Sequence, residues 1–447
     1  MKQKKFSLHS EKKIFPYKKS ILVDSDKSIS IRSFLFGSIS QGISKVKNIL
    51  ESEDVFSAIS CLKKLGVRIE KKGPKFYFIY GKGFGSLIAK KNLQLNFGNS
   101  GTLARLLIGI LSTTPSITIN LRGDHSLNKR NMKELIVLMS KFGAEFYPKN
   151  KFKFPLKIIS TDMPIGINYE AGVSAQLKSS VILAGLNSFG LTKITEKKKS
   201  RDHSENLLIK NTQAIKISKS KNKIITINGK KFINPLNINI PGDPSSAAFF
   251  TALTILNQKS IIKIKNVGMN PTRTGFYELL KKHGAKIKFE SIKKNNNEIY
   301  GNIIVKSCKI KPFKASKEYY VKATDEYPIL FVIAALTNGV SVFKGIGDLA
   351  NKESNRITEM QKILKQIGVY SKATKNELKI FGKNFFYKKN MNIKVRNLGD
   401  HRIAMSALIL SLITGVKTNI KNFETVYTSS PSFLKIVKYL GGKFETY

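Results

Sequence analysis

Three short stretches place cations beside residues that start helices. "DKSISIR" holds Lys27, Ser28 and Arg32, "NKESNRI" holds Lys352, Glu353 and Arg356, and "GDHRIAM" sets Asp400, His401 and Arg402 before an apolar run. Arg122 and Arg130 in "RGDHSLNKR", Arg201 in "SRDHSEN" and Arg273 in "NPTRTG" add further guanidiniums. A guanidinium is a planar fork that bonds two oxygens of a phosphate or carboxylate at once, so the set suits small polyanions. Two carboxylates stand among these cations. Asp325 opens an apolar helix in "ATDEYPILF", a costly place for an unpaired acid, and its neighbour Glu326 is expected to be the solvent-facing one. Glu353 precedes Arg356 by one helical turn. Asp325 and Glu353 are therefore the candidates for acid–base work. "GNSGTLARLL", residues 98–107, frees the backbone at Gly98 and Gly101, offers Asn99, Ser100 and Thr102 as caps and places Arg105 one turn in; anion site and simple helix start both remain open.

These side chains need elements to aim them, and the chain repeats itself in a way that supplies them. Apolar helices open near Ser28, Ser100, Ser174, Ser245, Asp325 and His401, in steps of 72, 74, 71, 80 and 76 residues. Amphipathic helices followed by a turn end near Gly66, Gly143, Gln213, Gly284, Gly368 and Gly442, in steps of 77, 70, 71, 84 and 74. Two interleaved series with one period of about 75 residues describe six related units. Each unit carries strands, a buried helix that is apolar nearly all round and a second, amphipathic surface helix. Six units suggest two domains of three, dividing near "IPGDP" at 240–244. A buried helix with a polar start leaves free N–H groups and the positive dipole end there, and several such ends facing one cleft would hold a polyanion.

Composition excludes several classes. At 447 residues, 41% of them hydrophobic, the chain reads as an ordinary globular protein with a large core. The apolar runs, such as 246–256 and 403–413, are too short to span a bilayer, and the basic start "MKQKKFSLHSEKKIF" has no apolar core of a secretory signal. Cys61 and Cys308 lack metal or disulfide spacing, which suits a reducing cytosol. The net charge of +49 comes from lysines spread along the whole chain, so it reads as composition bias that helps attract anionic substrates rather than as a nucleic-acid site. Neither a G-x-x-x-x-G-K-[ST] loop nor a G-x-G-x-x-G fingerprint occurs.

With these residues assembled, the chain resembles the 5-enolpyruvylshikimate-3-phosphate synthase family. "DKSISIR", "GNSGT", "SAQLKS", "SRDHSE", "PGDPSSAAFF", "NPTRTG", "DEYPIL", "KESNRI" and "GDHRIAM" occur in the family's order nearly end to end. The resemblance implies an α/β (α+β) fold of two domains, each of three β-α-β-α-β-β repeats, the inverted α/β barrel of enolpyruvyl transferases. It implies residues 26–241 as one domain, residues 1–25 with 242–447 as the other, and the active site in the interdomain cleft. It implies transfer of the enolpyruvyl group of phosphoenolpyruvate to the 5-hydroxyl of shikimate 3-phosphate with release of phosphate, by addition and elimination, without metal or organic cofactor.

Carried over by motif, Lys27, Ser28, Arg32, Ser174, Ala175, Gln176, Arg201, Asp325 and Lys352 are the implied shikimate 3-phosphate contacts. Lys27, Gly101, Arg130, Gln176, Arg356 and Arg402 are the implied phosphoenolpyruvate contacts. Asp325 would take the hydroxyl proton, Glu353 would protonate the methylene carbon and Lys27 would assist phosphate departure. The implied partners are the two small anions, with no nucleic acid and no membrane, and the implied enzyme is a cytoplasmic monomer.

The chain departs from the family pattern in places. Asn355 replaces a usual Asp, which is expected to loosen the support of Arg356. Ser429 and Ser430 stand before the Pro of "YTSSPSF", and Thr428 takes the place of a lysine that closes over phosphoenolpyruvate in one branch. "SRDHSE" and "SAQLK" resemble the glyphosate-tolerant branch, whereas His125 and Gly101 do not, so tolerance is not assigned. The nearest rival is the sister transferase acting on UDP-N-acetylglucosamine, whose reactive Cys or Asp has no Cys counterpart in "RGDHSLNKR". The rival of another class is a basic RNA-binding protein.

Overall fold

Five of the six expected apolar helices begin where a side-chain oxygen takes a backbone N–H. In the structure, a computed structural model that describes residues 5–383 and 391–447, the Ile29 N–H donates to Asp26 at 2.8 Å and starts α1 (Lys27–Ile39). Ser100 and Ser174 likewise cap α2 (Gly101–Ser112) and α3 (Ala175–Leu186). After the short α4 (His203–Ile209), Asp243 caps α5 (Pro244–Leu256). Of the remaining two, α6 (Tyr327–Ala335) has no side-chain cap and carries Pro328 in its first turn, while α8 (His401–Thr414) is capped by Asp400. Between them the amphipathic α7 (Arg356–Gln366) is capped by Asn355. Such caps are worth about 1 kcal/mol each.

The chain divides into two units. One comprises Ser25–Ile240 with 294–298, and the other Met1–Asp24, Pro241–Lys293 and Ile299–Tyr447. Six four-stranded sheets of one design are present among the described residues. In the first, Asn237–Asn239 runs parallel to Gln41–Lys47, which is antiparallel to Phe76–Lys82, which is antiparallel to Arg68–Gly73. The N-terminal strands Lys18–Leu22 and Leu8–Ser10 complete two sheets of the other unit, pairing Ile21 with Ile264 and Leu8 with Ile420. Each unit has its own apolar core, built on α1, α2 and α3 in one and on α5, α6 and α8 in the other. The sixfold repeat inferred from spacing is thus the architecture.

Small differences from the expected pattern are local. At the sixth turn the positive φ falls on Gly441 (99°) rather than Gly442, whose added Cβ would meet Val437. A further repeat-specific feature is three glycines, Gly81, Gly229 and Gly382, that lie flat against carbonyls at the end of a buried helix; any Cβ there would collide with backbone. No helix among the described residues is long and apolar enough to cross a membrane.

Candidate active site

In the unit built on α1, α2 and α3, the starts of those helices carry most of the expected residues. Lys27 lies in the first turn of α1 and its Nζ is 3.1 Å from Asp54 Oδ2. Arg32 is one turn further in and 3% exposed. Its Nε donates to Ser204 Oγ at 3.0 Å, Nη2 to Ser179 Oγ at 3.1 Å and Nη1 to the Ser28 carbonyl at 3.2 Å. One guanidinium therefore joins α1, α3 and α4.

The starts of α2 and α3 meet through Gln176. Its Nε2 donates to Thr102 Oγ1 at 2.9 Å, and its Oε1 accepts from Arg105 Nη1 at 2.8 Å. Arg130 donates to Asn99 Oδ1 at 2.9 Å, and Asn99 in turn donates to Asp124. A Cβ on Gly101 would lie 2.8 Å from Arg130 Nη1 and 2.9 Å from Arg105 Nη1. Two cations thus converge on the bare helix start at Gly101, where the N–H groups and dipole also favour an anion.

Ser174 caps α3, Ala175 is its first residue, and Arg201 precedes α4 by two residues. Beneath them lies a buried charge group. Lys178, with no exposed surface, is 2.7 Å from Glu196 and 2.8 Å from Glu205, and Lys223 is 2.9 Å from Glu205. Burial pushes the Glu205 carboxyl up, but Lys178 and Lys223 outweigh it and hold the group below the usual carboxylate range. Glu196 shows the same balance.

In the other unit the chemistry gathers on Arg356, which is 1% exposed. Nε donates to Asp400 Oδ2 at 3.0 Å, Nη2 to Glu353 Oε2 at 2.6 Å, and Nη1 lies 3.8 Å from Asp325 Oδ1. Burial pulls the Arg356 pKa down, yet Asp400, Glu353 and Asp325 together raise it above the ordinary value, so the group stays charged. Asp400 also accepts the Arg402 backbone N–H at 3.0 Å. The Arg402 guanidinium, 6% exposed, has no carboxylate within 4.0 Å among the described residues; its Nε has no hydrogen-bond partner, and it lies over the Phe249 ring at 5.9 Å. Lys352 pairs with Asp348 at 2.5 Å; burial pushes the Asp348 pKa up, but Lys352 outweighs it and leaves a net depression.

Two expectations are corrected. Glu326 is 1% exposed rather than solvent-facing; it is bound by Ser245 Oγ, which also accepts from Arg273, while the Asp325 side chain is the more open at 26%. The turn that starts α6 points them this way, because Glu326 is the N-cap residue packed toward α5. Asn355 is exposed and accepts the Thr358 N–H at 3.2 Å, so it caps α7, and Arg356 takes its support from Asp400 and Glu353 instead. Ser430, in the divergent "YTSSPSF" segment, is buried and donates to Asp24 at 3.1 Å.

The structure therefore brings Lys27, Ser28 and Arg32 onto one helix start, sets Arg130 and, through Arg105, Gln176 beside Gly101, and joins Asp325, Glu353 and Arg356. The sequence marks Arg105 only as a residue one turn into α2 and Ser179 and Ser204 only as members of "SAQLKS" and "SRDHSE", and it gives no sign of Asp54 or Glu298. A carboxylate in the first turn of an amphipathic helix, as Asp54 is in Glu53–Lys64, is common and carries no signal of its own.

Comparisons with known proteins point to one family and one fold. The family model described as EPSP synthase (3-phosphoshikimate 1-carboxyvinyltransferase) matches residues 12–437. Curated proteins named 3-phosphoshikimate 1-carboxyvinyltransferase from Paramagnetospirillum magneticum and Bacillus subtilis are similar. The first is 35% identical over 98% of both chains, and the second 36% identical over 95% of this chain and 97% of that one. A solved structure of EPSP synthase from Acinetobacter baumannii superposes with a TM-score of 0.85 at 33% identity, covering 99% of this chain and 100% of that one. The enolpyruvyl transferase NikO from Streptomyces tendae, at 11% identity and a TM-score of 0.74 over 99% of both chains, shares the fold.

Proposed function

The chain belongs to the EPSP synthase family, and we propose that the two sets of side chains described above act together on one pair of substrates. The enzyme transfers the carboxyvinyl group of phosphoenolpyruvate to the 5-hydroxyl of shikimate 3-phosphate and releases phosphate, a step toward chorismate and the aromatic amino acids.

In this reading Arg32, Arg201, Lys27, Ser28, Ser174, Gln176 and the Ala175 backbone hold shikimate 3-phosphate, with Asp325 and Lys352 on its ring hydroxyls. Arg130, Lys27, Gln176 and the Gly101 N–H take phosphoenolpyruvate together with Arg356 and Arg402. Asp325 accepts the 5-hydroxyl proton as the new bond from that oxygen to C2 of phosphoenolpyruvate forms. Glu353 gives a proton to C3, and a tetrahedral intermediate results. The C2–O bond to phosphate then breaks, C3 returns its proton to Glu353, and phosphate leaves beside Lys27 carrying the proton that Asp325 had accepted. Fixed cations that match the charge developing on the leaving phosphate do most to lower the barrier.

The observation that carries this reading is Arg402. A buried guanidinium with no carboxylate partner among the described residues is costly unless an anion completes it, and its neighbour Arg356 is already shared with the two acids the reaction needs. Arg356 also holds Glu353, the proposed proton donor, at 2.6 Å. A phosphoenolpyruvate carboxylate at Arg356 would compete with Glu353 and Asp325 for that guanidinium. We place the enzyme in the cytoplasm as a monomer acting on small anions.

The test is transfer followed by mass spectrometry of the product, with UDP-N-acetylglucosamine as the competing acceptor. The reading expects a carboxyvinyl adduct of shikimate 3-phosphate alone; an adduct of the sugar nucleotide alone would overturn it.

A further inference from the structure

Glu298 is a buried carboxylate that the proposed mechanism does not use. It lies at the start of the strand Glu298–Lys306, directly after a turn in which Asn296 and Asn297 both have positive φ, and it is 3% exposed. Its Oε1 accepts from His203 Nδ1 at 2.8 Å and from Asn206 Nδ2 at 3.0 Å. The same turn is pinned where Asn296 Nδ2 donates to the Asn237 carbonyl at 2.7 Å. His203 and Asn206 are both on α4, which has seven residues and is too short to hold its own conformation, so tertiary contacts must place it.

Three successive residues of α4 are tied in three directions. His203 goes to Glu298, Ser204 to Arg32 and to Ser179 (2.7 Å), and Glu205 to Lys178 and Lys223. Arg201 stands just before this helix. We infer that Glu298 is a positioning residue for shikimate 3-phosphate recognition: it fixes the start of α4, and α4 in turn fixes Arg201 and the plane of the Arg32 guanidinium. A hydrogen-bonded anchor one layer behind a binding group sets that group's geometry, and small misplacement is costly. The inference rests on the proposed role of Arg32 and Arg201 as shikimate 3-phosphate contacts, and the experiment separates the two.

Steady-state kinetics with each substrate varied are measured for Arg201→Ala, Glu298→Ala and Glu298→Gln. Arg201→Ala is expected to raise KM for shikimate 3-phosphate at least ~10-fold. Glu298→Ala is expected to raise that KM by roughly 5-fold or more while KM for phosphoenolpyruvate stays within about 2-fold. Glu298→Gln, which keeps the accepting oxygen, returns both values to within about 2-fold of the parent. Unchanged shikimate 3-phosphate affinity in Arg201→Ala overturns the underlying site reading. A normal Arg201→Ala effect combined with no effect, or an equal rise in both KM values, in Glu298→Ala overturns the positioning role. Where Glu298→Ala does not fold, His203→Gln is read by the same split, with the same two outcomes.

Discussion

Arg356 Nη2 lies 2.6 Å from Glu353 Oε2 while the opposite Nη1 lies 3.8 Å from Asp325 Oδ1, so one buried guanidinium touches both candidate proton carriers. Asp400 fixes its third edge through Nε at 3.0 Å. An anionic carboxylate that recruits Arg356 must compete with both acids for it. The arrangement explains why a residue at the start of a surface helix is among the most buried in the molecule.

Arg402 presents the opposite case. Replacing it by Gln removes a charge that is buried without a carboxylate among the described residues, so the substrate-free protein becomes more thermostable, while phosphoenolpyruvate KM rises at least ~10-fold. Thermal unfolding of Arg402→Gln with and without phosphoenolpyruvate checks this. Equal stability together with parental KM contradicts it.

Gly101→Ala places a methyl within 3 Å of two guanidinium nitrogens, Arg130 Nη1 (2.8 Å) and Arg105 Nη1 (2.9 Å). Both are ends of flexible side chains and move aside, so the fold survives. Phosphoenolpyruvate KM rises roughly 5-fold or more with little change in the KM for shikimate 3-phosphate. Paired saturation curves for the two substrates measure the split.

The buried group of Lys178, Lys223, Glu196 and Glu205 makes stability depend on pH. Both carboxyls are held below their unfolded values, so their contribution is complete above the unfolded pKa of about 4.3 and is lost as pH falls through the folded values. Lys223→Gln weakens the group by about 2 kcal/mol near neutrality, and the gap from the parent narrows as the acids protonate. Denaturant unfolding of both proteins at pH 7 and at pH 3.5 shows the gap; a gap that widens in acid contradicts the assignment.

Asn355→Asp leaves turnover within about 2-fold of the parent, because residue 355 caps the Thr358 N–H and an Asp caps equally well. The rate of phosphate release at saturating substrates measures it.

The repeat is legible in the sequence because its signals are local. Asp26, Ser100, Ser174, Asp243 and Asp400 each cap a helix from within three residues, and the apolar bodies that follow are long enough to read as buried. The α6 start is less legible, since no side chain caps it and the choice between Asp325 and Glu326 depends on Ser245, 81 residues from Glu326. Arg105 and Gln176, 71 apart, and Glu298 and His203, 95 apart, pair across elements whose approach no periodicity encodes. Motif order identifies the candidate residues themselves, while only the structure reveals what supports them.

The most direct measurement is phosphate release by the purified, folded protein, with Arg130→Ala and Arg356→Ala as one change in each unit. The account predicts release only when shikimate 3-phosphate and phosphoenolpyruvate are both present, and a loss of at least ~100-fold in kcat/KM in either variant. Absence of phosphate from the folded parent, or parental turnover in either variant, would contradict it.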